Sequence, residues 1–148
     1  MKIALGCDHG GFEHKNAIAE HLKERGFEIC DFGIYENTPV DYPDIALKVA
    51  SSIVKKENDL GILVCGTGIG MSLAANKVKG IRAAACSDHF SAKYTRLHNN
   101  ANILCLGGRV IGVGTALELT DLFVDTEFEG GRHQNRINKI TEIENGGI

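Results

Sequence analysis

The sequence has no tryptophan, only two prolines, and five cysteines of which no two form a C-x-x-C pair. Without such pairs or a Cys/His cluster there is no zinc-ligand spacing, and the odd thiol count does not suggest a disulfide framework. A chain of 148 residues can build a core without such staples. No apolar run approaches the ~20 residues that a membrane-spanning helix needs. The opening residues, Met1 to Gly6, run straight into a strand-like segment, with no signal-peptide core or cleavage site. Basic charge is not in excess either: 16 Lys and Arg against 19 Asp and Glu leave a net charge of −3, which excludes a global field for nucleic acid or a membrane surface. The expected setting is reduced and cytoplasmic. What the chain does have is glycine, 18 residues without collagen period or low complexity. That excess implies many tight turns, or places where backbone must approach a ligand.

The chain alternates short apolar runs with amphipathic segments. Residues 2–7 read as a strand, and 12–25 as a helix with Phe12, Ile18, Ala19 and Leu22 inward and Glu13, Lys15, Glu20, Lys23 and Glu24 outward. On that helix His14 and His21 fall in solvated positions. Gly26 stops the helix. Strand 27–32 follows, then a turn-rich loop from Gly33 to Pro43 and a helix over about 43–56. The cycle repeats as strand 60–65 with helix 67–79, strand 81–86 with helix 88–99, and strand 101–106 with helix 110–125. An additional helix runs from about residue 130 to 145. Five strands alternating with helices predict an α/β fold with a mostly parallel sheet. The continuous apolar strands suit a sheet covered on both faces. No linker or repeat divides residues 1–148, so a single domain is expected.

In an open α/β sheet, ligands bind beyond the carboxyl ends of the strands. Here those ends carry Cys7-Asp8-His9-Gly10-Gly11, Cys65-Gly66-Thr67-Gly68-Ile69-Gly70, Cys86-Ser87-Asp88-His89 and Gly107-Gly108-Arg109. Glycines at 66, 68 and 70 allow successive backbone N–H groups to converge on an anion. They do not meet the dinucleotide fingerprint G-x-G-x-x-G, and neither a Walker A motif nor a phosphatase C-x5-R loop is present. Cys65 lies where such a nest favours a thiolate. Cys7, Cys30, Cys86 and Cys105 read as small buried packing residues. His9 can reach a ligand at the rim, and His98 closes a helix just before the fifth strand. Arg132 and Arg136, four apart, share a helix face and can form a phosphate clamp. Ile137, Ile140 and Ile143 make an apolar stripe that suits packing on the domain or on a partner subunit.

Seven of these motifs stand in order and at matching spacing. They are Gly6-Cys7-Asp8-His9, Asp41-Tyr42-Pro43, Cys65 to Gly70, Ala74-Ala75-Asn76-Lys77, Gly80-Ile81-Arg82-Ala83, His98-Asn99 and Glu129-Gly130-Gly131-Arg132-His133-Gln134. Together they resemble ribose-5-phosphate isomerase type B, of the ribose/galactose isomerase family, from residue 2 to about 144. The resemblance implies a Rossmann-like α/β/α domain that interconverts ribose 5-phosphate and ribulose 5-phosphate without metal or other cofactor. It also implies a homodimer whose sites are shared between subunits, with residues from about 130 onward at the interface. Residue by residue, it places the catalytic base on Cys65, as in the thiolate branch; the position where a second branch has a carboxylate is Met71. The ring-opening acid falls on His98, with Thr67 and Asp8 in the catalytic set. Asp8, His9, Gly66, Thr67, Gly68, Ile69, Gly70, Asn99, Arg109, Arg132 and Arg136 match substrate-binding positions, and Tyr42 lies in a matching motif. The alternative substrate is a six-carbon sugar phosphate, allose 6-phosphate or galactose 6-phosphate. A nucleotide-binding module without catalysis is the competing class. A thiol redox protein is disfavoured, because no cysteine has a resolving partner nearby in sequence.

Overall fold

The apolar runs become five strands in the computed structural model, which describes residues 1–147. Along the chain the elements are β1 (Lys2–Cys7), α1 (Phe12–Glu24), β2 (Glu28–Asp31), α2 (Tyr42–Val54), β3 (Leu60–Cys65), α3 (Ile69–Ala75), β4 (Ala83–Ala85), α4 (His89–Leu97), β5 (Ile103–Gly107), α5 (Val113–Asp125) and α6 (Arg132–Glu144). The sheet order is β2-β1-β3-β5-β4, and every pairing is parallel. Helices α2 and α3 pack together over one face, while α5 packs against both α1 and α4. Burial on both faces explains the unbroken apolar strands: Ile3, Leu5, Ile62, Leu63, Ile103, Leu104 and Leu106 are all fully enclosed. The chain order reverses between β1 and β3, where ligands of such sheets bind.

Several local expectations differ from the structure for physical reasons. Helix α3 is shorter than 67–79. Gly68 turns the chain with φ of +80° before it starts. At its other end the Asn76 side chain leaves the helix, accepting the Ala83 N–H at 2.8 Å and donating to the Ala83 carbonyl at 2.9 Å. Those bonds anchor β4, a three-residue edge strand where six residues were expected. Lys15 points inward instead of outward. It is only 2% exposed, with Nζ 2.7 Å from Asp31 and donating to the Ile34 carbonyl at 3.0 Å. His14 is also buried and donates to the Ile111 carbonyl at 2.8 Å, and His21 pairs with Asp121 at 2.8 Å. Cys30, expected to be packed, is exposed because β2 is an edge strand with alternating burial.

Candidate active site

Strands β1, β3 and β5 lie side by side, with Cys65 opposite Gly107 in register. Their carboxyl ends therefore bring three loops together. After β1, Asp8 is buried and accepts the Gly10 N–H at 2.8 Å through Oδ1. After β3, the loop folds back so that the Gly68 N–H points at Cys65 Sγ, 3.0 Å away. Gly68 is required there: besides its positive φ, a Cβ would lie 2.9 Å from the Leu106 carbonyl carbon. After β5, the N–H groups of Gly108 and Arg109 donate to the carbonyls of Cys65 and Gly66 at 2.8 and 3.0 Å, fixing the loop from its other side. The first two loops touch, since a Cβ on Gly10 would come within 2.7 Å of the Gly66 nitrogen. The Arg109 guanidinium lies over Gly66, and the Tyr42 ring lies against Gly70. Thr67 Oγ1 accepts the Ile69 N–H at 3.2 Å, leaving its own hydroxyl proton free to be donated. His9, Thr67, Ile69 and Arg109 are exposed around this rim.

The cysteines separate by environment. Burial pushes the thiols of Cys7 and Cys86 up to about 11, and raises that of fully enclosed Cys105 well above its ordinary value. None of these three is suited to act as a thiolate at neutral pH. Cys65 is the thiol at the mouth of the glycine loop with a backbone N–H on its sulfur.

A second group gathers at the opposite end of the sheet. Helix α4 starts beyond the carboxyl end of β4 and runs back, so His98 and Asn99 lie near the strands' amino ends. There the Arg82 guanidinium donates to the Asn99 carbonyl at 3.0 Å. From Leu60 to Cys65 the six-residue strand β3 takes five steps, roughly 16 Å at ~3.3 Å per step. His98 stacks face to face on His133 of α6, with ring centroids 4.0 Å apart and planes 11° from parallel. Glu129 Oε2 lies 3.6 Å from His98 Nε2 and 3.7 Å from His133 Nε2. The ligand atoms of these three side chains are within 4.8 Å of one another. Because no point lies in the planes of both stacked rings, the group is poorly set to hold a metal ion. Arg132 and Arg136 are exposed on the same helix and are in no ion pair among the described residues.

The structure thus brings together Asp8, His9, Cys65, the Gly66–Gly70 loop and Arg109. It holds His98, Asn99, Arg132 and Arg136 apart from them. Sequence reasoning left His133 unassigned and gave Glu129 no role. The available signal was the four-residue spacing from His133 to Ile137, which puts both on the buried side of α6.

Among the described residues, no helix is long and apolar enough to cross a membrane. The family model "Ribose/Galactose Isomerase" matches residues 3–140. Ribose-5-phosphate isomerase B of Escherichia coli is 49% identical over 143 residues, covering 97% of this chain and 96% of that protein. The solved structure of Clostridium thermocellum ribose-5-phosphate isomerase B is 53% identical and superposes with a TM-score of 0.97 over 99% of both chains. That of Mycoplasma genitalium ribose-5-phosphate isomerase B, with bound ribulose-5-phosphate, is 44% identical with a TM-score of 0.94, covering 97% of this chain and 96% of that one.

Proposed function

The chain belongs to the ribose/galactose isomerase family, and we propose that it interconverts D-ribose 5-phosphate and D-ribulose 5-phosphate, a step of pentose phosphate metabolism. The observation that carries this reading is the Gly68 N–H directed at the Cys65 sulfur, on a rim shared with Asp8, Thr67 and Arg109. The five-carbon substrate is favoured over the six-carbon one by the relatives' names and by the ribulose-5-phosphate bound to one of them.

Ribose 5-phosphate is mainly a closed ring. His98 donates a proton to the ring oxygen, the C1–O4 bond breaks, and the C1 hydroxyl proton leaves to the Asp8 carboxylate, giving the open-chain aldehyde. The Cys65 thiolate then takes the proton from C2, and the electron pair moves through C1 onto the aldehyde oxygen. The enediolate so formed meets loop N–H groups and the Thr67 hydroxyl; one good donor of this kind contributes ~3 kcal/mol. Return of the proton from Cys65 to C1 and transfer of the O2 proton to O1 give the ketose with its C1 hydroxyl. Arg109 and His9, with Arg132 and Arg136, hold the phosphate and fix C1 and C2 against Cys65.

The same reading requires a homodimer. Cys65 and His98 of one chain face opposite ends of a six-residue strand, a span too long for one pentose phosphate. A second copy related by two-fold symmetry can bring its own His98, Asn99, Arg132 and Arg136 to the Cys65 rim. Ile69, Leu73 and Phe90, each more than half exposed around the β4 edge, offer an apolar surface for such contact. Five unpaired thiols go with a reduced, cytoplasmic setting.

The decisive test is Cys65→Ala. We expect it to abolish solvent exchange at C2 of ribose 5-phosphate while phosphate affinity persists; retained exchange removes Cys65 from its role. A higher kcat/KM on allose 6-phosphate or galactose 6-phosphate than on ribose 5-phosphate would overturn the substrate assignment.

A further inference from the structure

Among the groups near His98, His133 stands out because it is buried without a hydrogen-bonding partner. It is 4% exposed, yet its Nε2 makes no hydrogen bond among the described residues, and Glu129 Oε2 stands 3.7 Å away. An enclosed polar atom left in this state costs stability and is uncommon in folded proteins. Its ring covers one face of His98, while the Tyr94 ring meets His98 edge-on with centroids 4.9 Å apart. The connection before α6 is fastened to α4 by the Glu129 N–H, which donates to the carbonyl of Leu97, the residue before His98, at 3.0 Å.

We infer that His133 and Glu129 are positioning residues for His98, His133 fixing the plane of its imidazole and Glu129 supplying the negative charge opposite its Nε2. This rests on the reading of His98 as the ring-opening acid. Around the stacked pair stand Glu129 from the connection, Arg132 and Arg136 from α6, and Tyr94 from α4, while Cys86 lines the same hollow as His98. Two imidazoles stacked at 4.0 Å resist carrying two positive charges. His133 is the one held neutral: burial lowers its pKa first, and the neighbouring His98 adds to this. His98 is the more exposed ring of the two, and so the one that can reach a substrate. Nothing in this arrangement needs His133 to touch the sugar.

The chemistry supplies a clean test. Ribulose 5-phosphate cannot close to a furanose, because its C5 oxygen carries the phosphate. Solvent exchange at its C1 therefore reports the Cys65 step without ring opening, whereas turnover of ribose 5-phosphate needs both. In the full-length dimer, His133→Ala should lower kcat on ribose 5-phosphate about 10- to 100-fold, within the range for a mispositioned general acid. Exchange on ribulose 5-phosphate should change little. His133→Phe, which keeps a flat ring against His98, should recover part of the loss. Glu129→Gln should likewise lower kcat on ribose 5-phosphate severalfold and leave exchange on ribulose 5-phosphate little changed.

Equal loss of both reactions in the His133 and Glu129 variants means a merely structural role and overturns the inference, as does no loss in either. Failure of the functional reading looks different: the wild-type protein itself would then prefer a six-carbon sugar phosphate.

Discussion

Lys15 shows how a single residue departs from the periodicity that surrounds it. Its position falls at the margin of the apolar stripe of α1, where a charged side chain reads as outward. In the fold it lies under the Gly33–Tyr35 segment, with its charge met by Asp31 and the Ile34 carbonyl and with the rings of Phe12 and Tyr35 nearby. Gly33 and Ile34 in turn hydrogen-bond the two backbone groups of Cys7, the residue before Asp8. Lys15 thus links the β2 loop to the catalytic rim. The two halves of the pair are unequal, since Lys15 is enclosed and Asp31 is 29% exposed. Removing Asp31 strands a buried ammonium, whereas removing Lys15 leaves a carboxylate that water can reach. Asp31→Ala should therefore destabilise by about 3 kcal/mol. Lys15→Met, similar in volume, should cost clearly less. Urea unfolding of the two variants checks the order, and a larger loss in Lys15→Met would refute this account. Nothing within one sequence announces a partner 16 residues away, so this pair could not be read from periodicity.

At the scale of elements, the strands and helices were legible because each sits in a two-sided layer that imposes an apolar pattern on it. The ends were less so. Helix α3 stops where Asn76 turns to bond Ala83, and β4 is short because an edge strand lacks a second neighbour to extend it. The glycine loop before α3 was legible as a tight turn at a strand end, but not which N–H meets which atom. That detail sharpens a prediction. Gly68→Ala must hold a side chain at φ of +80° and press it against the Leu106 backbone. The expected cost is about 1–3 kcal/mol of stability. If the loop shifts to relieve the contact, the N–H leaves Cys65 Sγ. Thermal unfolding should show the lower stability, and steady-state rates should show kcat falling more than KM rises. A variant with normal kcat would mean that this N–H does not support the thiolate.

For the whole molecule, strand order and helix direction decide which candidate residues can act together, and motifs in a linear sequence carry neither. Asp8, Cys65 and Arg109 were foreseeable as neighbours because all three follow strand ends at one rim. His98 could be singled out from its motif, but not its place, since that follows from α4 running back along the sheet. With Cys65 and His98 at opposite ends, the proposed mechanism gives one chain two half-sites, which a two-fold dimer would join by setting each Cys65 against the other chain's His98. The consequence can be tested by mixing two inactive proteins. Cys65→Ala and His98→Asn homodimers each lack one member in both sites. In a heterodimer, one site combines both defects, and the other combines the intact Cys65 of one chain with the intact His98 of the other. Random exchange of subunits makes half of the dimers mixed, each with one working site, so activity should rise to about one quarter of wild type. The recovery should depend on unfolding and refolding the two proteins together, and be absent when they are refolded separately and then combined without exchange. If Cys65 and His98 serve the same substrate within one chain, no mixture can regain activity, and the shared-site dimer is refuted.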